Sequence, residues 1–469
     1  MESLCDNQLN VSYGDTLIFH FDFSIFHFFP FFMRNFILNK ILAPYLAFCA
    51  RRIIKLNRPI IIGITGSVGK SSAKEAIYTV VSKKFRARKN KGNLNNEIGL
   101  PLSVISDVEP KGDIFKWLGI IAKGLLLSLK RDRFYPKILI LEMAVDRPGD
   151  MDYLTSIASP KIALITDIGV SHLEFFHDEK QILKEKAKIF KNIPRDGLAI
   201  FNFDNVHLRS LKKKLKKPIL TYGFRSTSDV LAEDYKIGYS PELGEGVNIA
   251  KGVSFRVSYK TIFLPVVLPN IISKAQIYSA LSGIAVGLHL GMNLVEITEQ
   301  LKNFTPLPGR MRLIRGKWGN LIIDDTYNSA PNSLKSALET LALIKSKKKT
   351  VILGDMLELG KIESSAHREI GRLLFSIASK VVLVGTRMLE THKELKKLGF
   401  PKDKIHHYRS VTALIPKIPA IIGKGELILV KGSQGLRMEK AVEELVPQKS
   451  QKLLARQDKY WKRKKVREV

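Results

Sequence analysis

Apolar runs that give way to polar, helix-like stretches recur along most of this chain. Such runs fall at 60–64, 138–141 and 161–166, each followed by loop residues and then a helical period. Strands buried on both faces read this way, and their alternation with helices predicts a parallel sheet covered by helices. Residues 219–268 change character. Gly238, Pro241, Gly244, Gly246 and Gly252 punctuate short β-like runs such as 253–257, which predicts an antiparallel extension of the same domain. A helix is predicted over 276–290, and Pro306, Pro308 and Gly309 mark a boundary. Beyond it strands are expected at 321–323, 350–353, 380–384 and 426–430, separated by helical patterns. The fold class is therefore α/β: a central parallel-sheet domain over 58–308 and a Rossmann-like α/β domain over 309–446, with no internal repeat.

Three segments stand outside that rhythm. Residues 114–129 are strongly apolar, with Trp117 and a run from Leu125 to Leu127; their length favours a buried helix over a membrane contact. Residues 1–57 form a hydrophobic N-terminal segment, Phe-rich from Phe19 to Phe48 and interrupted by Asp22, Arg34 and Lys40. No stretch in it reaches the ~18 uncharged residues of a membrane span. With Arg51, Arg52 and Lys55 following, it reads as an interfacial anchor; the alternative is a hydrophobic cap packed on the first domain. Residues 447–469 are a basic tail, read as solvated, with a membrane-surface contact as the alternative. The start lacks the basic region of a cleavable signal peptide.

Composition narrows the partners. An excess of 76 basic over 44 acidic residues gives a net charge of +32, which suits nucleotides, a phospholipid surface or nucleic acid. No RNA- or DNA-binding motif accompanies the charge, so no nucleic-acid partner is expected. Two cysteines, Cys5 and Cys49, exclude a disulfide framework and fit a reducing compartment.

The chemistry starts at residues 63–72, Gly-Ile-Thr-Gly-Ser-Val-Gly-Lys-Ser-Ser, directly after the apolar run 60–62. This is a phosphate-binding loop (P-loop) leaving a buried strand. Ile64 stands where the strict motif has its first glycine, so the fit is to the shorter Gly-x-x-Gly-Lys-Ser form. Gly66, Ser67, Val68, Gly69, Lys70, Ser71 and Ser72 are the expected nucleotide contacts, with Lys70 on the terminal phosphates and Ser71 on Mg²⁺. The loop alone fits a kinase, a GTPase or a transporter subunit.

Other segments decide. In order they are Gly92-Asn93-Leu94-Asn95-Asn96-Glu97, Leu141-Glu142-Met143, Thr166 to Glu174 with His172, Lys184 to Phe190 with Lys186, Pro308-Gly309-Arg310-Met311, Asp324 to Pro331, Leu353 to Gly360, and Leu429 to Lys440. Taken together, residues 58–446 resemble the Mur ligase family, and within it the branch that adds D-Ala-D-Ala to a muramyl tripeptide. The resemblance implies a cytoplasmic ATP-dependent ligase of peptidoglycan precursor synthesis, peripheral on the inner face of the membrane if the N-terminal segment is an anchor. ATP would phosphorylate a carboxylate of the muramyl peptide, and the amine of D-Ala-D-Ala would attack the acyl phosphate. It also implies two Mg²⁺ ions: Ser71 would hold one between the ATP phosphates, and Glu142, His172 and Lys186 would hold the other, Lys186 as a carbamate. Lys70, His172 and Lys186 would then be the catalytic set, Arg310 a phosphate clamp, Asp325 an ATP contact, and Asn95 and Asn96 a substrate loop or its caps. At 3.6 residues per turn Lys186 lies about 200° from Lys184 and Lys188, so it can face the site while they face solvent. The chain departs from the family in three places. Lys188 stands where the family has Glu. Ala275 and Gln276 replace its His-Asn pair, leaving Gln276 to offer an amide to adenine. About 57 residues precede the loop, where the family has a domain that grips a UDP-sugar, so UDP recognition is not supported. The competing readings are a ligase with this core acting on another amino-acid polymer or glycopeptide and, from another class, a membrane-associated P-loop NTPase.

Overall fold

The computed structural model describes residues 37–458 and 461, except 107, 111–112, 170–175, 177 and 241–248. Helix α1 (Ala43–Asn57) leads into β1 (Ile60–Thr65), α2 (Lys70–Val81) and β2 (Ala87–Lys89). Next come α3 (Ile114–Leu129), β3 (Ile138–Glu142), α4 (Asp150–Ile157), β4 (Ile162–Ile165), α5 (Glu179–Lys191) and β5 (Leu198–Asn202). The first sheet is completed by β6 (Ile219–Gly223), β7 (Val230–Ser240), β8 (Ile249–Tyr259) and β9 (Ile262–Leu268), and α6 (Lys274–His289) follows. Its order is β2-β3-β1-β4-β5-β6-β7-β8-β9. Pairing is parallel as far as β7, so β6, expected within the antiparallel extension over 219–268, belongs to the parallel part, and only the pairings of β7 with β8 and β8 with β9 are antiparallel.

β1 sits between β3 and β4, where the winding reverses, so loops leaving all three strands diverge at one crevice. Register places Ile64 beside Glu142 and Thr65 beside Ile165. Ile61, Ile62 and Ile64 are buried, and such side chains contribute roughly 1.5–3 kcal/mol each. That anchorage fixes where the loop after Thr65 begins.

The second sheet holds β10 (Arg312–Arg315), β11 (Leu321–Asp325), β12 (Lys349–Gly354), β13 (Lys380–Val384), β14 (Ile405–Tyr408) and β15 (Leu427–Lys431), in the order β10-β11-β15-β12-β13-β14. Only its edge strand β10 is antiparallel.

Three further expectations change. Residues 37–57 do not stand apart. Leu46, Cys49, Ala50 and Ile53 of α1 lie in the same core as β3 and β4, so this stretch is the packed cap, while the Phe-rich residues before Ile37 lie outside the described residues. The helix over 114–129 is not buried all round. Trp117, Ile120, Gly124 and Ser128 face inward, and Phe115, Leu118 and Leu126 face out. The basic tail is not solvated throughout. After α7 (Glu439–Leu445), Gln448–Leu453 form a short 3₁₀ helix, and Leu454 and Ala455 are buried. Residues 462–469 lie outside the described residues.

Candidate active site

The loop after β1 owes its shape to two glycines. Gly66 has φ +145°, and a Cβ there would sit 2.1 Å from Thr166 Oγ1; Gly69 has φ +85° and begins α2 with no side-chain cap. The first-turn N–H groups of α2 are thus left for an anion. Ser67 ties the loop to the end of β4: its N–H donates to Asp167 O at 2.8 Å and its hydroxyl to Gly169 O at 3.0 Å. Thr166 Oγ1 donates to Val68 O, closing the other side. Lys70 Nζ donates to Gly66 O at 2.7 Å. Burial pushes the Lys70 amine below its usual value, against the opposing pull of Glu142 and Asp146.

Glu142 is the centre of the crevice. It is buried at the end of β3, and its peptide is fixed by Asn90, which accepts from Glu142 N at 3.0 Å and donates to Glu142 O at 3.2 Å. Its carboxylate accepts from Ser71 Oγ at 3.0 Å, from Asn95 Nδ2 at 3.2 Å and from Lys74 Nζ at 3.2 Å. Burial alone would raise its pKa, but Lys74 and Lys70 outweigh that and hold it below the usual carboxylate range. Asn96 does something else: its Oδ1 accepts from Gly99 N at 3.0 Å, a local cap.

Lys186 is buried on α5, Lys184 is exposed, and Lys188 reaches outward to Asp152 and Glu185, both at 2.7 Å. Glu185 in turn accepts from Gly149 N at the start of α4 at 2.9 Å. The Lys186 amine is lowered to about 7, first by burial and then by the neighbouring Lys70 charge, while Asp146, Glu185 and Asp150 pull the other way. His172 lies outside the described residues. Among the described residues no three His, Cys, Asp or Glu side chains gather as metal ligands. The oxygens of Ser71 and Glu142, 3.0 Å apart, nonetheless suit a hard cation.

A cleft of about 470 Å³ separates the two sheets' domains, lined by Ser71, Lys74 and Asn93 on one side and by Arg310, Tyr327 and Arg456 on the other. Arg310 stacks over the Tyr327 ring at 4.0 Å, and Tyr327 Oη donates to Asn93 Oδ1 across the gap. Asp325 is buried below this wall. Its Oδ1 accepts from Met311 N at 3.1 Å and its Oδ2 from Lys431 Nζ at 2.6 Å. Gln276 caps α6 and donates to Arg310 O at 3.1 Å and Met311 O at 3.3 Å, so its amide links the domains and is not offered to a base.

Sequence reasoning missed Lys74, Tyr327, Lys431 and Arg456. Lys74 had a signal, lying four residues after Lys70 on one helix face. Lys431 stood in a quoted segment without a role. Arg456 had none. It sits in the basic stretch after α7, yet its guanidinium donates to Thr326 O at 3.2 Å and to Tyr327 O at 2.5 Å, and pairs with Glu439 at 3.0 Å.

Comparison with known proteins places the chain among relatives of one kind. Residues 123–286 match the family model of the Mur ligase middle domain, and residues 309–434 match that of the Mur ligase glutamate ligase domain. A UDP-N-acetylmuramoyl-tripeptide–D-alanyl-D-alanine ligase of Bacillus subtilis (strain 168) is 30% identical over 388 residues, 82% of this chain and 76% of its own length. The enzyme of that name from Escherichia coli (strain K12) is 26% identical over 389 residues, 82% and 76% of the two chains. The crystal structure of the MurF ligase from Thermotoga maritima in complex with ADP superposes with a TM-score of 0.69 at 26% identity, covering 86% of this chain and 83% of that one.

Proposed function

The chain belongs to the Mur ligase family, and on that premise we propose that it is an ATP-dependent amide ligase of peptidoglycan precursor synthesis, joining D-Ala-D-Ala to a muramyl tripeptide. The observation that carries the reading is the pairing of the Ser71–Glu142–Lys74 cluster with Arg310 on the opposite wall of one cleft. A triphosphate and a carboxylate repel each other, so their reaction needs cations placed before they meet.

The roles follow from position. The loop N–H groups and Lys70 receive the ATP phosphates, with Gly66 O as the partner Lys70 leaves. Arg310 approaches the same phosphates from the other domain. Ser71 and Glu142 are the residues that would hold Mg²⁺, which when bound neutralises phosphate and carboxylate charge. Asn95 and Lys74 keep the Glu142 carboxylate oriented. Lys186, whose amine is lowered to about 7, is a carbamylation site: carbon dioxide adds to a neutral amine, and the product reverses its charge. Glu142 and that carbamate are the residues that would hold a second Mg²⁺. Asp325 fixes Met311 and Lys431 beneath Arg310, and its carboxylate oxygens, each holding one partner, keep acceptor capacity for the expected ATP contact. ATP and peptide precursors are cytoplasmic, and the enzyme is placed there. Among the described residues no helix is long and apolar enough to cross a membrane.

The test is phosphate release with mass-spectrometric product detection. Release is expected only when a muramyl tripeptide and D-Ala-D-Ala are both present, with a product larger by the dipeptide less water. Lys186→Ala is expected to abolish ligation while ATP still binds, and bicarbonate is not expected to rescue it. ATP turnover indifferent to any amine would overturn the assignment.

A further inference from the structure

Helix α3 is apolar on two sides, and among the described residues only one of them is covered. Its inner stripe packs on α1: Tyr45 Oη donates to Ile121 O at 2.9 Å, and Gly124 faces Cys49 and Ile105, where a Cβ would lie 3.3 Å from Ile105 Cδ1. Its outer side carries Ile114, Phe115, Leu118, Leu125, Leu126 and Leu129, between 49% and 81% exposed. At 100° per residue these side chains and Ala122 occupy an arc of about 120°. Isolated exposed apolar residues are ordinary; a contiguous arc of this size marks a contact surface.

The charges around the arc identify its partner. Lys116, Lys123 and Lys130 recur every seven residues and run along one margin of the arc, and all three are exposed. The helix contains no acidic residue; Asp113, at its N-cap, pairs with Lys116 at 3.2 Å. Arg131, Arg133 and Phe134, the last 68% exposed, continue the pattern past the end of the helix. An apolar arc with a lysine margin is the form of a helix lying in a membrane surface, with aliphatic stems in the acyl boundary and ammonium groups at lipid phosphates. We propose that α3 docks this protein onto an anionic lipid surface. At 16 residues α3 is about 24 Å long, shorter than the ~30 Å hydrocarbon core, so it lies in the plane of the surface. The net charge of +32 attracts an anionic surface and opposes a second copy of the chain meeting the same lysine margin.

Co-sedimentation of the full chain with phosphatidylglycerol-containing vesicles, against pure phosphatidylcholine vesicles, tests this. Wild type is expected to bind the anionic vesicles and to be released by salt. The double variant Leu118→Ser/Leu126→Ser, whose positions are exposed, is expected to lose at least tenfold in partitioning with an unchanged melting temperature. The triple variant Lys116→Gln/Lys123→Gln/Lys130→Gln is expected to lose the preference for anionic lipid. Absence of binding by wild type would overturn the proposal. So would equal binding by the Leu118→Ser/Leu126→Ser variant, which would assign the contact to another segment. A wild-type dimer that this variant dissociates would assign the face to a second copy and overturn it equally.

Discussion

Lys186 shows how much a single burial decides. In the unfolded chain its amine titrates at the ordinary 10.5, and in the fold at about 7. Between those values the unfolded state binds the extra proton, so stability rises with pH across that window; below it the full penalty of a buried ammonium is present. Lys186→Met is therefore expected to be more stable than wild type at pH 7, with the gap narrowing steadily toward pH 10. Denaturant titrations across that range measure it, and a gap independent of pH would mean the buried amine is not neutral in the fold. Glu142 illustrates the opposite case. Burial would raise its pKa, but two lysines on one helix face outweigh that, and the carboxylate stays ionised in the core. The sequence made Lys70 and Glu142 legible through local motifs. It could not show Lys74 on the same carboxylate, because that contact depends on how α2 is rotated against β3.

At the scale of elements, the stretch after α7 is a strap across the cleft wall. Arg456 holds the carbonyls of Thr326 and Tyr327 and stacks on the Tyr327 ring at 5.2 Å, while Arg310 stacks on it at 4.0 Å. Tyr327 is thus set between two guanidinium groups, and the strap positions Arg310 through it. Arg456→Gln is expected to raise the KM for ATP about tenfold, equivalent to about 1.4 kcal/mol, with partial rescue by Arg456→Lys. A fall in melting temperature at unchanged KM would reduce the strap to packing. The glycine-lysine loop, most of the parallel core strands and the antiparallel pairing of β7 to β9 follow from short-range pattern and were readable. The strap was not, because its partners lie more than a hundred residues upstream and a basic composition reads as solvated. The outward arc of α3 was missed for a related reason: an apolar run fixes that a helix is covered, not by what. Short β2, β10 and β14, and the interior β5, also went unseen, the first three being edge strands whose pairing is tertiary.

At the scale of the molecule, the two domains meet in two different ways. Away from the cleft, the antiparallel extension is packed into the C-terminal domain: Ala250 and Ile272 belong to its core, and Tyr239 Oη accepts from Lys345 N at 3.2 Å. Gln276 adds its bonds to Arg310 O and Met311 O. At the cleft itself, the Tyr327–Asn93 hydrogen bond spans the gap. A bond of this kind contributes about 1 kcal/mol. Tyr327→Phe is expected to shift the ensemble toward wider separation of the domains, seen as a larger radius of gyration in X-ray scattering without nucleotide and restored by ATP; identical scattering from both proteins would show that Asn93 is no latch. The oily seam under β7 and β8 then works as the fulcrum of a lever. A few degrees of rotation there would part Asn93 from Tyr327 while Gln276 keeps the Arg310 and Met311 backbone at the pivot, so the lobes need not rearrange internally to let a bulky glycopeptide in and a longer one out.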